Sequence, residues 1–292
     1  MRNLLSIDVE DYFNVSLLSK ILPPEEWEHC PSFVVKYTER ILEILDWSST
    51  KATFFILGWI ATHHPGLVKE ISRRGHEIGS HSNAHRLVYE MTPSEFREDT
   101  RRCKETLEDI TGVPVFGYRA PSFSIIPQSA WAYPILMELG FSYSSSTHPI
   151  HHDLYGNPNG HTTPHFVRWE GKALLEIPIS TVRLAGQNIP FSGGGYLRFL
   201  PYEAIAAAIR KVNLKYGNIV VAYLHPWEIN PEQPRYNVSL TKRFRHYLHL
   251  ASTDRKLWRL VDHFAWGPFH EYVVEQWSAQ AAPPAPELAA SM

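Results

Sequence analysis

Short apolar runs alternate along this chain with stretches whose apolar residues recur three and four positions apart, and the alternation sets the order of elements. Residues 3–7 form an apolar run that stops at acids, which predicts a strand. Residues 34–47 carry Ile41, Leu42, Ile44 and Leu45 with Glu39 and Glu43 between them, the pattern of an amphipathic helix. The β-branched and aromatic run 52–57 predicts a second strand, a helix is expected over 59–74 with Gly75 as its stop, and 76–80 predicts a third strand. Thr92-Pro93-Ser94-Glu95 is the clearest helix start: Thr92 can cap, Pro93 suits the first helical position and Glu95 completes a capping box. Phe96, Cys103, Leu107 and Ile110 then form one stripe that ends near Gly112. Further strands are expected at 115–118, 141–146, 174–179 and 219–224, and helices at 131–139, 202–216, 240–250 and 253–263. Residues 147–168 lack a period and are rich in Pro, Gly, His and Asn, which predicts a long loop. From about residue 279 the composition turns to Ala and Pro, and 279–292 is expected to be a disordered tail. Strands alternating with helices imply a parallel sheet, open or closed into a barrel, within one α/β domain over 1–278.

Composition narrows the functional classes. Of 292 residues, 44% are apolar and 20% charged, enough for a packed core and too apolar for a disordered chain. The formal charge of −2 provides no net basic field for nucleic acid. The longest apolar runs, about ten residues, are too short to span a bilayer. Acids at Asp8, Glu10 and Asp11 leave no room for a secretory signal, so a cytoplasmic location is expected. Two cysteines, Cys30 and Cys103, cannot make a disulfide framework and read as buried free thiols, with Cys103 in the core.

The chemistry collects at strand ends. Asp8 ends the first strand, His81 the third, Arg119 the fourth and His225 the last. In parallel α/β folds these ends share one face, and that face carries the reactive groups. His81 and His85 are four apart, one helical turn, a spacing that suits two ligands on one metal. With 16 histidines such spacings also arise by chance; His161 and His165 form a second pair that reads as a surface-loop coincidence. The cluster Asp8-Val9-Glu10-Asp11 supplies both a carboxylate ligand and a carboxylate base, as a metal hydrolase requires. Alternate strand residues share a face, which favours Glu10 over Asp11 beside Asp8; Asp11 gains if the chain has already turned. Arg119 can hold a carboxylate by paired hydrogen bonds, and His225 can serve as a general acid.

Together these segments resemble the polysaccharide deacetylase family, the carbohydrate esterases (family 4-like) that share the NodB homology domain. The resemblance rests on Ser6-Ile7-Asp8-Val9-Glu10, His81-Ser82-Asn83-Ala84-His85, Arg119-Ala120-Pro121 and Leu224-His225. Asp8 to Phe13, Gly193-Gly194-Gly195-Tyr196-Leu197-Arg198 and His225-Pro226-Trp227-Glu228-Ile229 look like the branch associated with exosortase and exopolysaccharide systems. The resemblance implies a deformed (β/α)7 barrel with a C-terminal helical extension from about residue 228. It also implies metal-dependent removal of N-acetyl groups from amino sugars of a poly- or oligosaccharide. By carry-over, His81, His85 and Glu10 would hold a divalent metal, Zn2+ first and Co2+ or Ni2+ next. Asp8 would be the base, Arg119 would hold Asp8, His225 would be the acid and Leu224 would line the acetyl pocket. The backbone near Ser122 would face the oxyanion, and Tyr196 and Trp227 are candidate sugar contacts, as are Tyr12, Phe13, Tyr118 and Phe123. This sequence departs from the family pattern twice. Val9 stands where the second Asp usually follows the base, and 141–146 (Phe-Ser-Tyr-Ser-Ser-Ser) lacks the Asp that tunes the acid histidine in relatives. Two rival readings are a barrel that hydrolyses a small cyclic amide or ureide, as allantoinases do, and a non-catalytic polysaccharide-binding barrel.

Overall fold

The computed structural model describes residues 2–152 and 155–281. Its strands are β1 (Asn3–Val9), β2 (Thr53–Ile56), β3 (Glu77–Ser80), β4 (Gly117–Tyr118), β5 (Tyr143–Ser144), β6 (His165–Trp169), β7 (Lys172–Glu176), β8 (Thr181–Leu184), β9 (Gln187–Pro190), β10 (Val221–Leu224) and β11 (Trp266–Gly267). Its α-helices are α1 (Val34–Trp47), α2 (Gly58–His63), α3 (Pro65–Arg73), α4 (Pro93–Thr111), α5 (Ala132–Glu138), α6 (Gly194–Phe199), α7 (Tyr202–Arg210), α8 (Leu240–Tyr247), α9 (Leu250–His263) and α10 (Phe269–Ala281). Seven strands run parallel in the order β10-β1-β2-β3-β4-β5-β7, with β6 antiparallel on the outer edge of β7. No ladder joins β7 to β10. The seam is instead bridged by Ser180, whose N–H donates to Val221 O (3.3 Å), and by Ser192, whose carbonyl accepts from Tyr223 N (3.0 Å). Gly193 makes a parallel bridge to Tyr223, and a Cβ there would stand 2.1 Å from the Tyr223 ring. The glycine triplet thus lets the chain lie on an aromatic ring and close a deformed (β/α)7 barrel.

Strand alternation sorts side chains into two cores. Leu5, Ile7 and Val9 face the helices, in one cluster with Ile41, Leu45, Leu107 and Ile209. Leu4, Phe55, Tyr143, Leu175, Ile177, Val221 and Tyr223 pack together inside the barrel. Gly117 makes room there, since a Cβ would lie 2.1 Å from the Tyr143 hydroxyl. The extension is woven into this interior. β11 pairs with the start of β1, and Phe269 of α10 lies fully buried between Phe55 and Tyr143. Its N–H donates to Thr53 Oγ1 at 2.8 Å.

Several expectations are corrected. The helix expected over 59–74 is two, because Pro65 starts a new helix after His64 leaves helical geometry. The expected loop 147–168 ends in β6, which hairpins onto β7 through Glu170 and Gly171, both at positive φ. Ala185 and Gly186 make the same turn between β8 and β9. The α-helix expected to Tyr216 stops at Arg210 and continues as a wider turn over Lys211–Lys215. Residues 279–281 belong to α10, while 282–292 of the expected tail lie outside the described residues. Cys103 is buried, which pushes its thiol up to about 12, but Cys30 is only partly buried; both are free. Among the described residues no helix is long and apolar enough to cross a membrane.

If Phe269 closes the barrel floor, Phe269→Ala should cost about 3–5 kcal/mol in urea-unfolding measurements. A loss under about 1 kcal/mol would show that α10 is merely appended.

Candidate metal and active site

β1 delivers Ser6 and Asp8 to the barrel interior, and both meet one buried cation. Arg119, fully buried just after β4, donates from Nη1 to Asp8 Oδ1 (2.6 Å) and Ser6 Oγ (2.6 Å). Its Nε donates to Ser145 O (3.0 Å) and its Nη2 to Ser145 Oγ (2.8 Å). The guanidinium stands over the Phe55 ring, 4.2 Å from its centroid. The serine-rich segment that lacks the usual Asp therefore grips this arginine, and Ser146 Oγ also accepts from Ala120 N at 2.9 Å. Glu176 holds the segment in turn, accepting from the N–H groups of Ser146 and Thr147 at 2.9 Å each.

Glu10, His81 and His85 converge beside this pair. One ligand atom from each lies within 4.8 Å of the others, and all three residues are buried. His81 Nδ1 donates to Arg119 O at 2.9 Å, which leaves Nε2 as the lone-pair nitrogen; burial holds this ring down to about 4, in its neutral form. Glu10 Oε2 is buried, accepts no hydrogen bond among the described residues, and lies 3.1 Å from His85 Nε2. Burial disfavours the Glu10 charge, but His85 and His225 overcome it and hold the carboxyl well below its usual range. Two imidazoles and one carboxylate, whose Oε2 is the orphaned buried oxygen, are a donor set that suits a divalent cation. The histidines do not meet as one helical turn. Ser82 and His85 both have positive φ, and the loop is pinned by Asp99 of α4, which accepts from Asn83 N (2.8 Å) and Ala84 N (3.2 Å). Asp11 points away: its carboxylate accepts from Ser32 Oγ, Phe33 N and Val34 N and so closes the start of α1.

His225 follows β10. Its Nε2 lies 2.9 Å from Glu10 Oε1 and 3.9 Å from Asp8 Oδ2, and its Nδ1 donates to Glu228 Oε2 at 2.8 Å. Glu228 is buried and paired with buried Arg198, Nε to Oε1 at 2.7 Å. Burial opposes a charge on His225, yet Glu10 and Glu228 carry it up to about 10. Glu228 and Arg198 were not among the residues singled out by sequence reasoning, although both sit in segments that carried the resemblance. Their signal was a buried-looking acid three residues after His225 and a lone arginine after three glycines.

The remaining candidates scatter. Ser122 and Phe123 follow Arg119 in successive positive-φ conformations, φ 50° and 52°, a strained turn beside the site. Trp227 stacks between His225 and His246, with centroids at 5.2 and 4.6 Å, and Tyr196 is half-buried on α6. Leu224 lies in the helix-side core, on the face of β10 away from Tyr223 and His225, which does not bring it to the site. Tyr12, Phe13 and Tyr118 are fully buried core residues, so no sugar can reach them. The His161 and His165 rings stack at 4.0 Å, and no carboxylate joins them in a metal-sized group among the described residues.

Comparison with known proteins follows the same division. Residues 27–141 match the family described as "Polysaccharide deacetylase", and residues 145–274 match "Domain of unknown function (DUF3473)". The first match contains His81, His85 and Arg119; the second contains His225, Glu228 and Arg198. A peptidoglycan-N-acetylglucosamine deacetylase of Bacillus cereus is 33% identical over 99 residues, covering 34% of this chain and 36% of that protein. One from Listeria monocytogenes is 32% identical over 93 residues, covering 32% of this chain and 20% of that protein. The chain thus spans about a third or less of the length of these curated relatives. The fold resembles a structure solved under the name of a polysaccharide deacetylase from Mycobacterium smegmatis (TM-score 0.61, 20% identity, 100% of this chain and 96% of that one). It equally resembles the allantoinase Puue (TM-score 0.59, 16% identity, 94% and 89% covered), so fold alone does not choose between these chemistries. Residues 27–141 are thus similar in sequence to the polysaccharide deacetylase family, and the chain as a whole shares the barrel fold of a structure solved under that name.

Proposed function

We propose that this chain is a metal-dependent hydrolase that removes N-acetyl groups from amino sugars of a poly- or oligosaccharide of the exopolysaccharide type. The observation that carries the reading is the gathering of Glu10, His81 and His85 within 4.8 Å, beside an Asp8 held by Arg119 and a His225 held by Glu228. Glu10, His81 and His85 would hold the cation, with zinc the first choice and cobalt or nickel next. Such an ion acidifies water and polarises an amide carbonyl.

The chain's own groups supply the rest. Asp8 takes the proton of the attacking water, with Arg119 fixing Oδ1 so that Oδ2 turns toward the His225 edge. The backbone N–H at Ser122 donates to the oxygen that becomes negative. His225 carries its proton at neutral pH and delivers it from Nε2 to the departing amine, which is a poor leaving group without one. Trp227 packs against the His225 ring, and half-buried Tyr196 would be the aromatic that meets a pyranose.

Acetate release from N-acetylhexosamine oligomers should stop on chelation and return with zinc or cobalt. In the same assay Asp8→Asn should retain metal and lose at least about 100-fold in turnover. Hydrolysis of allantoin without acetate release, or saturable glycan binding without product, would overturn the reading. Glu228→Gln removes a negative charge that raises His225, so the alkaline limb of kcat/KM should move to lower pH. An unmoved limb would show that His225 is not the acid.

A further inference from the structure

The C-terminal extension carries a feature that the hydrolytic reading leaves unused. α8 is anchored at its C-terminal end: Arg198, already paired with Glu228, also donates to the carbonyls of Arg245, His246 and Leu248. His246 stacks on Trp227, which stacks on His225, so one indole ring separates this end of α8 from His225. The other end runs out into solvent. Residues 239–245 are all exposed, including Leu240 at 83% and Phe244 at 58%. Leu240, Phe244 and buried Tyr247 share one helical face, so an apolar stripe begins in the core, passes over Phe199, whose ring stacks on Phe244 at 5.4 Å, and continues past the body of the protein. Arg243 borders it, and Lys242 and Arg245 lie on the other faces of the helix. Between Glu232 and Asp254 the sequence has no acid and four cations, Arg235, Lys242, Arg243 and Arg245, in a chain whose net charge is −2.

We infer that α8 docks the catalytic face onto an anionic lipid bilayer. Leucine and phenylalanine one turn apart, bordered by Arg243 on a helix that carries further cations, suit the boundary between headgroups and acyl chains. A protruding leucine gains from hydrocarbon and offers a sugar neither a flat π face nor a hydrogen bond, so lipid fits the stripe better than glycan. The acid-free tract supplies charge complementarity to anionic headgroups. Docked this way, the barrel mouth faces a polymer still attached at the membrane surface. That consequence rests on the deacetylase reading, while membrane binding does not.

The test is co-sedimentation of the full chain with phosphatidylglycerol/phosphatidylcholine vesicles and with pure phosphatidylcholine vesicles. Binding is expected only to the anionic vesicles, and it should fall steeply with salt. Lys242→Ser with Arg243→Ser should weaken it about 25-fold, at about 5-fold per cation, and Leu240→Ser with Phe244→Ser should abolish it at moderate salt. Neither pair should change acetate release from a soluble oligosaccharide. As a control, Lys211→Ser with Lys215→Ser removes two cations just before β10, at the opposite end of the barrel, and should bind like the parent. The proposal is overturned if the parent chain stays in the supernatant, or if the control pair weakens binding as much as the α8 pair. Binding of soluble anionic polysaccharide, but not vesicles, through the same residues would also overturn it. Loss of acetate release with vesicle binding intact would count against the hydrolase reading and leave the docking surface standing.

Discussion

A guanidinium with no access to water, inside a barrel otherwise filled with aromatic and aliphatic side chains, is tolerable only if its N–H groups find acceptors and its charge finds a counter-ion. Arg119 meets both conditions through Ser6, Ser145 and Asp8, and the candidate site is arranged around the result. The pair fixes Asp8, the Arg119 carbonyl fixes the His81 ring, and Ser145 ties the fifth strand to the first through the same side chain. Breaking such a pair by removing one partner costs about 3–5 kcal/mol, because the survivor is left charged and unsolvated. The carboxylate is thus held by a network that stability as well as chemistry requires.

A second buried pair, Arg198 with Glu228, repeats the device on the other side of the site. Glu228 accepts from His225 Nδ1, and Arg198 ties that carboxylate to the end of α8. His225 is therefore oriented by the C-terminal half of the chain, while the metal-ligand candidates come from the N-terminal half. The two family matches meet between β4 and β7, but the sheet runs through that boundary without interruption.

Much of this was legible in the residues, and the failures have physical causes. Strands followed by a charged residue were readable because apolar runs stop at Arg119 and His225, whereas β1 runs through Asp8 to Val9. The capping box at Thr92 forms as expected, with Glu95 N donating to Thr92 Oγ1 at 3.3 Å. Parity along β1 favoured Glu10 for the metal group, and Asp11 is instead occupied with the N-terminus of α1. The two hairpins were hidden because their turns use Glu-Gly and Ala-Gly, where Asn-Gly would have announced them. The His81–His85 spacing suggested a helical turn, whereas the pairing comes from left-handed residues and a clamp by Asp99, neither of which leaves a periodic trace. Leu224 was assigned by resemblance, and strand parity, applied to β10, turns it toward the helices.

The central claim is that a divalent cation belongs between Glu10, His81 and His85. It is tested most directly by anomalous diffraction at the zinc absorption edge from crystals of the zinc-loaded protein. The account predicts one strong peak within bonding distance of His81, His85 and a Glu10 oxygen, lost in Glu10→Gln or His85→Ala crystals. No peak at that position, or a peak only at His161 and His165, would contradict it.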